Sequence, residues 1–403
     1  MKKYVINSFM FENGERFCHV VEKISGEPIY YPNLYLLTQI RNRSSSINTI
    51  QLIAGSLVLL HNWFYNNNID IEERIRKLDF LEFNEMDSLS DYMSMNYKRR
   101  KGSPENKPSL AKGPTKYFRL SVICDYMEWL CNLYLILSGG KDIGSKIKPF
   151  IRELKKKRPL NTDRYKKEIP DKTLNRKQLD ILFHIINPGS ELNPFSQKVQ
   201  VRNRLMMLML YSFGIRVGEL LNLRVSDIDF LNSTIVIKRR ADDKSDPRVN
   251  QPLVKTSERK IPIGKELMEE IYSYITKDRR KINKSRLNEF IFITYQSGDT
   301  NGMPLSISAY HKIINVISKS HSDLSGLCGH QLRHTWNYEF SVMVDSLSDG
   351  ISQEKEEQIR CYLMGWCIGS ETAKIYNRRH LVEEAHKTSL TIQKEIMEGI
   401  LYE

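Results

Sequence analysis

The chain has 403 residues, and its 61 Lys and Arg against 48 Asp and Glu give a formal net charge of +13. At roughly 100–200 residues per domain this length indicates two or three domains, and a hydrophobic fraction of 40% argues against wholesale disorder. The best uninterrupted apolar run, residues 205–210, falls far short of the ~20 residues of a membrane helix. No apolar signal region follows Met1, and the cysteines lack CxxC or metal-ligand spacing, so we expect free thiols in a reducing cytoplasm.

The basic residues are concentrated in one part of the chain. Residues 92–167 hold 19 Lys and Arg but six Asp and Glu, so this window accounts for nearly all of the net charge. A basic excess can indicate nucleic acid, an acidic membrane face, or solubility alone. Its concentration in one window favours binding to a phosphate backbone.

The N-terminal half is predicted to combine short strands with helices. Residues 4–6 and 17–21 are strand-like, and Asn13-Gly14 between them is a hairpin signal. A helix begins at a Ser46 or Asn48 cap and continues at helical spacing to Trp63. Beyond it we predict a helical unit around 71–83, a basic loop over 98–115 and an amphipathic helix over 116–137.

A polar, lysine-rich segment from residue 155 to about 170 is predicted to be a domain linker. Such a segment is most often a solvated connection, although between two DNA-binding domains it would also follow the DNA backbone. A second, mixed domain begins near Leu174. Its predicted helices cover 202–213, 217–223, 308–318 and 332–343, and its predicted strands cover 234–238, 259–263 and 290–293.

Arg216 lies between Gly214 and Gly218 at a predicted helix–helix turn. Glycine permits positive φ and close approach of a ligand, and the helix that begins at Val217 would direct its N-terminal amides toward an anion held by Arg216. Taken alone, this pattern is more often a surface arginine beside a turn.

Two further groups of residues are weak signals when each is taken alone. His330 and Arg333 lie three residues apart at a predicted helix start, which places a proton-transfer group beside a bidentate anion binder. The alternative is a solvated, capped helix N-terminus. Trp366 is followed ten residues later by Tyr376, and a tyrosine at such a position is ordinarily half-buried in a core.

In this order, the elements resemble the tyrosine recombinase, or phage integrase, family. The resemblance extends over about residues 173–386 and depends on five spaced elements. These are Arg216 in Gly-Ile-Arg-Val-Gly-Glu-Leu, Lys255 ahead of Arg-Lys-Ile-Pro-Ile, His330 with Arg333 in His-x-Leu-Arg-His-Thr, Trp366, and Tyr376.

The resemblance implies a role for each residue in cutting DNA without a metal. Tyr376 would attack the scissile phosphate and form a 3′-phosphotyrosyl link. Arg216 and Arg333 would bind the non-bridging oxygens, whose charge increases in the transition state. His330 would act as general base or acid near Tyr376, and Lys255 as general acid for the 5′ oxygen.

The sequence departs from the commoner family pattern at two places. Many members carry His where this chain has Trp366, and the indole keeps one N–H donor but cannot transfer a proton. The polar loop over 239–252 is longer than a minimal hairpin, so Lys244 and Lys260 compete with Lys255 for the lysine role. Glu219 is expected to support the Arg216 site structurally.

No metal and no other cofactor is implied. The acidic residues of the second domain are interpreted as turn and loop residues rather than as a metal-binding pair of carboxylates. The residues concerned are Asp227, Asp229, Asp242 and Asp243.

The predicted fold is α+β and mainly helical, with a helical core-type DNA-binding domain before a mixed α/β catalytic domain that contains a small antiparallel sheet. The predicted limits are an N-terminal extension of unassigned role (1–45), the DNA-binding domain (46–154), a basic linker (155–172), the catalytic domain (173–386) and a tail helix (387–403). The candidates for phosphate contacts, or alternatively a solvated basic surface, are Lys98, Arg99, Arg100, Lys101, Lys116, Arg119, Lys146 and Lys148.

The resemblance implies a site-specific recombinase or integrase of a phage or mobile element. Its partners would be double-stranded DNA at a specific site, further copies of the chain in a tetramer, and other recombinases of the same element, but no membrane. The tail helix would join neighbouring copies or, alternatively, pack on its own domain. We expect a cytoplasmic, nucleoid-associated protein. The alternatives are a topoisomerase or resolvase with the same chemistry, and a DNA-binding accessory protein that no longer cuts.

Overall fold

The structure, a computed structural model, describes residues 3–43, 46–96, 109–138, 144–159, 173–254, 256–346, 351–369 and 388–395. The chain divides into two compact units, Met1–Ile169 and Pro170–Glu403. The division falls within the segment predicted to be a linker, and the finer domain limits stay predictions. Helices predominate and the sheets are small and antiparallel, so the predicted fold class is confirmed. None of the helices in these ranges is long and apolar enough to cross a membrane.

The first unit is a β-hairpin packed with helices. Its elements are β1 (Tyr4–Met10), β2 (Arg16–Glu22), α1 (Tyr30–Tyr35), α2 (Ile47–Asn66), α3 (Ile71–Arg76), α4 (Phe83–Ser94), β3 (Met95–Asn96), β4 (Ser109–Leu110), α5 (Gly113–Ser138) and α6 (Gly144–Lys156). The predicted hairpin around Asn13-Gly14 is confirmed, since β1 pairs antiparallel with β2. The predicted cap of α2 is also confirmed, because the backbone N–H of Thr49 donates to the Ser46 hydroxyl.

The hairpin belongs to the same core as the helices. Phe17 of β2 is completely buried in one cluster with Leu57 of α2 and Ile123 of α5. The Asn62 side chain of α2 fastens β1, because its oxygen accepts from the Tyr4 N–H at 3.1 Å and its amide donates to the Tyr4 carbonyl at 3.1 Å. Residues 4–22, for which the sequence suggested no function, therefore help to build the first unit.

The second unit packs helices around a small sheet. Its elements are α7 (Arg176–Ile185), α8 (Gln197–Phe213), α9 (Val217–Asn222), β5 (Ile228–Asp229), β6 (Thr234–Ile237), β7 (Arg259–Pro262), α10 (Lys265–Ser273), α11 (Ile307–Ser320), α12 (Gly329–Asp345) and α13 (Gln353–Met364). The sheet is antiparallel in the order β5-β6-β7, and Ile235 of β6 faces Ile261 of β7. Both side chains are buried in the core of this unit.

One predicted strand is wrong. Residues 290–293 are buried, but they form only isolated bridges, in which Phe290 pairs with Arg224 and Ile293 with Pro304. The apolar run is explained by burial in the core rather than by membership of a sheet. The third strand is instead β5, whose two residues are too few to give an alternating pattern.

Candidate active site

The turn between α8 and α9 presents Arg216 and requires a glycine two residues before it. Gly214 ends α8 with a left-handed backbone, at a φ of +59°. A Cβ at this position would lie 2.8 Å from the methyl group of Met364 and 2.8 Å from the indole of Trp336. Residue 214 can therefore only be glycine in this packing, and the tight turn sets Arg216 directly ahead of the first residue of α9.

Arg333 on α12 is bound to that same turn. One terminal nitrogen of its guanidinium donates to the Gly214 carbonyl at 2.6 Å, and the other donates to the Met364 carbonyl at 3.2 Å. The guanidinium carbon lies 5.2 Å from the ring centroid of Trp366. Arg333 is only 2% exposed, and it joins the Arg216 turn to the end of α13 and to Trp366. Three of the predicted sequence elements therefore meet in one place.

Glu219 lies one helical turn after Arg216 and is buried. Its carboxylate accepts from the Arg216 backbone N–H at 3.0 Å, from the Thr256 hydroxyl, and from the Arg259 guanidinium at 2.9 Å. Burial raises the pKa of this carboxyl, but the charge of Arg259 and the hydrogen bonds outweigh burial and hold the pKa below its usual value. Glu219 is thus a buried carboxylate that is bonded to the backbone of Arg216, and its supporting role in the reaction stays a prediction.

Lys255 lies outside the described residues, although both of its neighbours are described and buried. Before it, the Leu253 carbonyl packs so closely on Gly218 that a Cβ there would lie 2.7 Å from the oxygen. After it, the backbone N–H of Ser257 donates to the Gly365 carbonyl at 3.1 Å. The segment that carries Lys255 is therefore fastened on both sides to parts of the candidate site.

The competing lysines have different surroundings. Lys244 is exposed in the polar loop, and Lys260 is exposed on β7, opposite Val236. Neither finding tests the assignment, which stays a prediction for Lys255.

The polar loop ahead of Lys255 is tightly bonded over its described length. Asp246 is completely buried and accepts from the Arg248 guanidinium at 2.6 Å. Arg248 also donates to the Leu305 carbonyl at 2.8 Å. The Asn222 amide of α9 donates to the Pro252 carbonyl. These contacts tie the described part of the loop, up to Pro252, to α9.

Asp227 and Asp229, which were interpreted as turn and loop residues, accept hydrogen bonds from neighbouring side chains. Asp227 is 2% exposed, accepts hydrogen bonds from Arg240 and lies 3.3 Å from the Lys238 amine. Asp229 accepts from Asn232 within its turn. Within the described ranges no three His, Cys, Asp or Glu residues are grouped so that they could hold a metal ion.

His330 lies in the first turn of α12 and is exposed, whereas Arg333 of the same helix is buried. The His330 ring packs edge-on against His334, with the centroids 4.6 Å apart. A Cβ on Gly329 would overlap the Tyr310 hydroxyl, so the start of α12 is pressed against α11. His330 is thus presented to solvent at the end of a helix that is fixed in place.

Several predicted site residues lie outside the described ranges. Tyr376 follows Gly369, where the description of this region ends, and the tail is described only as a helix over residues 388–395. The four basic residues Lys98, Arg99, Arg100 and Lys101 are also outside.

The remaining basic candidates of the first unit differ in their surroundings. Lys146 and Lys148 are exposed on α6, and Lys116 is half-buried on α5. One nitrogen of the Arg119 guanidinium donates to the Met93 and Met95 carbonyls at 2.8 and 2.9 Å. Arg119 therefore fastens α5 to the end of α4, while its contact with DNA stays a prediction.

The sequence analysis missed Arg259 and Thr256 as parts of this site. Arg259 is 4% exposed, and its Nε donates to the Leu363 carbonyl at 2.6 Å. A usable signal was present, because the two-residue period of β7 places Arg259 on the same buried side as Ile261. A buried guanidinium needs acceptors or an anion for its charge, and Glu219 supplies the anion beside Arg259.

Comparison with known proteins identifies related chains. A model of the phage integrase family matches residues 172–344, a range that includes Arg216, His330 and Arg333 but ends before Trp366 and Tyr376. Tyrosine recombinase XerD of Halalkalibacterium halodurans is 29% identical over 152 residues, which are 38% of this chain and 43% of that protein. Transposase A from transposon Tn554 of Staphylococcus aureus is 23% identical over 313 residues, 75% of this chain and 78% of the transposase.

Among solved structures, the XerH site-specific recombinase bound to its difH substrate matches with a TM-score of 0.51 at 17% identity, over 85% of this chain and 80% of that one. This similarity concerns the fold. The chain covers less than half of the length of the XerD relative. The arginine turn and the buried second arginine both lie within residues 172–344, the part of the chain that matches the phage integrase family.

Proposed function

We propose that this protein is a site-specific DNA recombinase of a mobile element, which cuts and rejoins DNA through a 3′-phosphotyrosyl intermediate. The observation that carries the proposal is the bond from Arg333 to the Gly214 carbonyl, with Trp366 stacked on the same guanidinium. This contact sets two arginines, from motifs far apart in the sequence, around one small region. Two fixed guanidinium groups are what a phosphodiester needs as its charge increases in the transition state.

The arginines bind the phosphate. Arg216, with 29% of its side chain exposed, is accessible to DNA at the start of α9. Arg333 is held from behind by backbone carbonyls, so little reorganisation is needed when the phosphate becomes pentacovalent. Replacing Arg216 by alanine is expected to cost roughly 3–4 kcal/mol of transition-state stabilisation, by analogy with an oxyanion-hole donor.

Tyr376 supplies the nucleophile. Its phenolic oxygen forms a bond to phosphorus while the bond from phosphorus to the 5′ oxygen breaks, which leaves a 3′-phosphotyrosyl link. Lys255 gives a proton to the departing 5′ oxygen, and His330 exchanges a proton with the Tyr376 hydroxyl. Attack of a 5′ hydroxyl on the phosphotyrosyl link reverses these steps and rejoins the DNA without another energy source.

Trp366 packs against the guanidinium of Arg333. Its ring covers one face of the Arg333 guanidinium, and its backbone N–H donates to the Cys361 carbonyl at 2.9 Å. The indole N–H can donate to a phosphate oxygen, but it cannot transfer a proton as histidine does. Proton transfer is therefore assigned to His330 and Lys255.

The expected partner is double-stranded DNA. The related proteins include tyrosine recombinases and a transposase from a transposon, which supports action on a mobile element. The exposed lysines of α6, and the other basic residues of the window 92–167, would bind the phosphate backbone. Assembly into a tetramer, and association with the nucleoid through DNA, are parts of this proposal.

The test is capture of the covalent intermediate. The purified chain is incubated with a library of duplexes of random sequence, each carrying one nick, so that a cleaved fragment diffuses away and religation fails. Denaturing gels then separate free from covalently bound DNA, and the trapped DNA is sequenced. We expect an adduct enriched in one sequence. An enriched, tightly bound sequence without any adduct would instead support the accessory DNA-binding protein.

A further inference from the structure

The buried side chain of Arg259 donates hydrogen bonds to three separate segments of the candidate site. It lies at the start of β7, and its Nη2 donates to Glu219 of α9 at 2.9 Å. Its Nε donates to the Leu363 carbonyl of α13 at 2.6 Å, and its Nη1 donates to the Thr256 hydroxyl at 3.2 Å. These three partners stand next to the Arg216 turn, the Trp366 turn and the Lys255 segment respectively.

The two arginines nearest to the Glu219 carboxylate differ in distance and in burial. Two arginines of the described chain lie within ion-pair distance of the Glu219 carboxylate: Arg259 at 2.9 Å and Arg216 at 3.7 Å. The side chain of Arg259 is 1% exposed, and that of Arg216 is 29% exposed. Arg259 is therefore the nearer and the more deeply buried partner.

A buried carboxylate that loses its cation must find another or take up a proton. If a neutral residue replaced Arg259, Arg216 would be the cation already close enough to pair with Glu219 in its place. An Arg216 guanidinium drawn onto Glu219 would be partly neutralised and turned away from an incoming phosphate.

We propose that Arg259 is a positioning residue that neutralises Glu219 and so keeps the charge of Arg216 available for the DNA phosphate. Arg259 does not touch DNA in this scheme and acts through Arg216. The inference rests on the proposed function as far as the phosphate is concerned, but the competition of two arginines for one carboxylate does not depend on it.

A purely structural role is the alternative that an experiment must separate. The guanidinium packs directly under the turn that precedes Trp366, where a Cβ on Gly365 would lie 2.7 Å from Nη1 of Arg259. Loss of the side chain will therefore disturb packing as well as charge. Arg259→Met alone cannot distinguish the two effects.

The decisive comparison is a double-mutant cycle with Glu219→Gln. In the double variant the glutamine oxygen introduced at position 219 can still accept from the Arg216 backbone N–H, and the new amide can donate to the Thr256 hydroxyl, so the pair becomes neutral without losing these bonds. We expect Arg259→Met to slow single-turnover cleavage roughly 100-fold, with DNA affinity nearly unchanged. We expect Glu219→Gln, added to it, to recover at least about tenfold of that loss. A double variant as slow as Arg259→Met would overturn the proposal.

Arg259→Lys provides a second, independent comparison. Lysine keeps the charge beside Glu219 but lacks the planar fork that reaches the Leu363 carbonyl and Thr256. We expect it to cleave at least about tenfold faster than Arg259→Met. Equal rates for the lysine and methionine variants would show that charge is not what Arg259 contributes. Arg279→Met is the matched control, since Arg279 is a buried arginine of the same unit that donates to the Phe290 and Ser285 carbonyls. It should lower thermal stability and leave the cleavage rate of the folded protein unchanged.

A measurement without DNA separates this inference from the proposed function. Phenylglyoxal reacts more slowly with an arginine the more tightly its guanidinium is paired with a carboxylate, and peptide mass spectrometry measures its reaction with Arg216. The reaction should be slower in Arg259→Met than in the unaltered chain and should recover in the double variant. Unchanged reactivity of Arg216 in Arg259→Met would contradict the inference even if the protein cleaves DNA. The predicted change in reactivity would support the inference even if no DNA is ever cleaved.

Discussion

The guanidinium of Arg333 donates a 2.6 Å hydrogen bond to the backbone carbonyl of Gly214, across 119 positions of sequence. This bond couples the position of the buried arginine to the conformation of the turn that presents Arg216. A change in the turn should therefore affect both arginines at once.

Gly214→Ala should abolish cleavage while leaving DNA binding by the basic first unit largely intact. The added methyl group would meet Met364 and Trp336 at 2.8 Å and would displace the carbonyl that binds Arg333. We expect a loss of about 1–3 kcal/mol in the free energy of unfolding, measured by urea titration beside a cleavage assay.

Gly326→Ala is the matched control. Gly326 also has a positive φ, at +80°, but a Cβ there meets nothing within 4 Å. It should show the backbone strain of about 1 kcal/mol without the loss of cleavage. If both alanine variants cleave equally well, the Gly214 carbonyl does not position Arg333 for the reaction.

Lys255→Ala should be rescued by a substrate in which sulfur replaces the 5′ bridging oxygen. A thiolate leaves readily without a proton, so the general acid becomes unnecessary. Rates on the oxygen and sulfur substrates are compared for each variant. Lys244→Ala and Lys260→Ala should cleave normally on both substrates, and Arg216→Ala should stay slow on both. Rescue of Lys260→Ala instead would move the general-acid role to β7.

Some parts of this fold follow from local pattern and others do not. Helical spacing with a Ser46 cap sufficed for α2 because one face of that helix is buried along its whole length. The buried run 290–293 was wrongly predicted to be a strand of the sheet, because a continuous apolar segment has the same composition whether it pairs in a sheet or lies in a core.

The ordered motif placed Arg216, Arg333 and Trp366 in one region, but it did not predict how they are held. Arg333 was expected to grip DNA, and the sequence contains no sign that its guanidinium binds two backbone carbonyls. Arg259 escaped notice because its partner Glu219 lies 40 positions away in another element. Contacts of this kind depend on tertiary packing, which leaves no local pattern in the amino-acid sequence.

His61 should make the first unit sensitive to acid. Its ring is enclosed by Tyr4, Phe64 and Tyr126, and burial lowers its pKa to about 4 from the ordinary 6.5. Between these values the unfolded chain binds more protons than the folded chain, so the free energy of unfolding falls as pH falls from 6.5 toward 4. The loss should be about 1–3 kcal/mol.

His61→Gln should remove this pH dependence from the first unit, and His311→Gln, which changes an exposed histidine of α11, should not. Urea unfolding at a series of pH values, with hydrogen exchange of the α2 segment as the local probe, measures the effect. An unaltered slope in His61→Gln would assign the acid sensitivity to other groups.

Lys148→Ala should weaken DNA binding and make it less dependent on salt. Lys148 is exposed on α6, and loss of one phosphate contact lowers the slope of log K against log salt by about 0.9. Lys77→Ala is the control, because the Lys77 amine is already paired with Glu73 at 2.6 Å. A slope that changes equally in both variants would point to general electrostatics rather than to a contact at Lys148.

The central claim is that Tyr376 attacks the scissile phosphate, and mapping the covalent adduct tests it most directly. After nuclease and protease digestion of trapped complexes, mass spectrometry should find a nucleotide linked to the peptide that contains Tyr376. Tyr376→Phe should bind the same DNA and form no adduct. Tyr362→Phe, which alters an exposed tyrosine of α13 in the same unit, should form it normally. A nucleotide attached to any other residue, or an adduct that persists in Tyr376→Phe, would contradict the account.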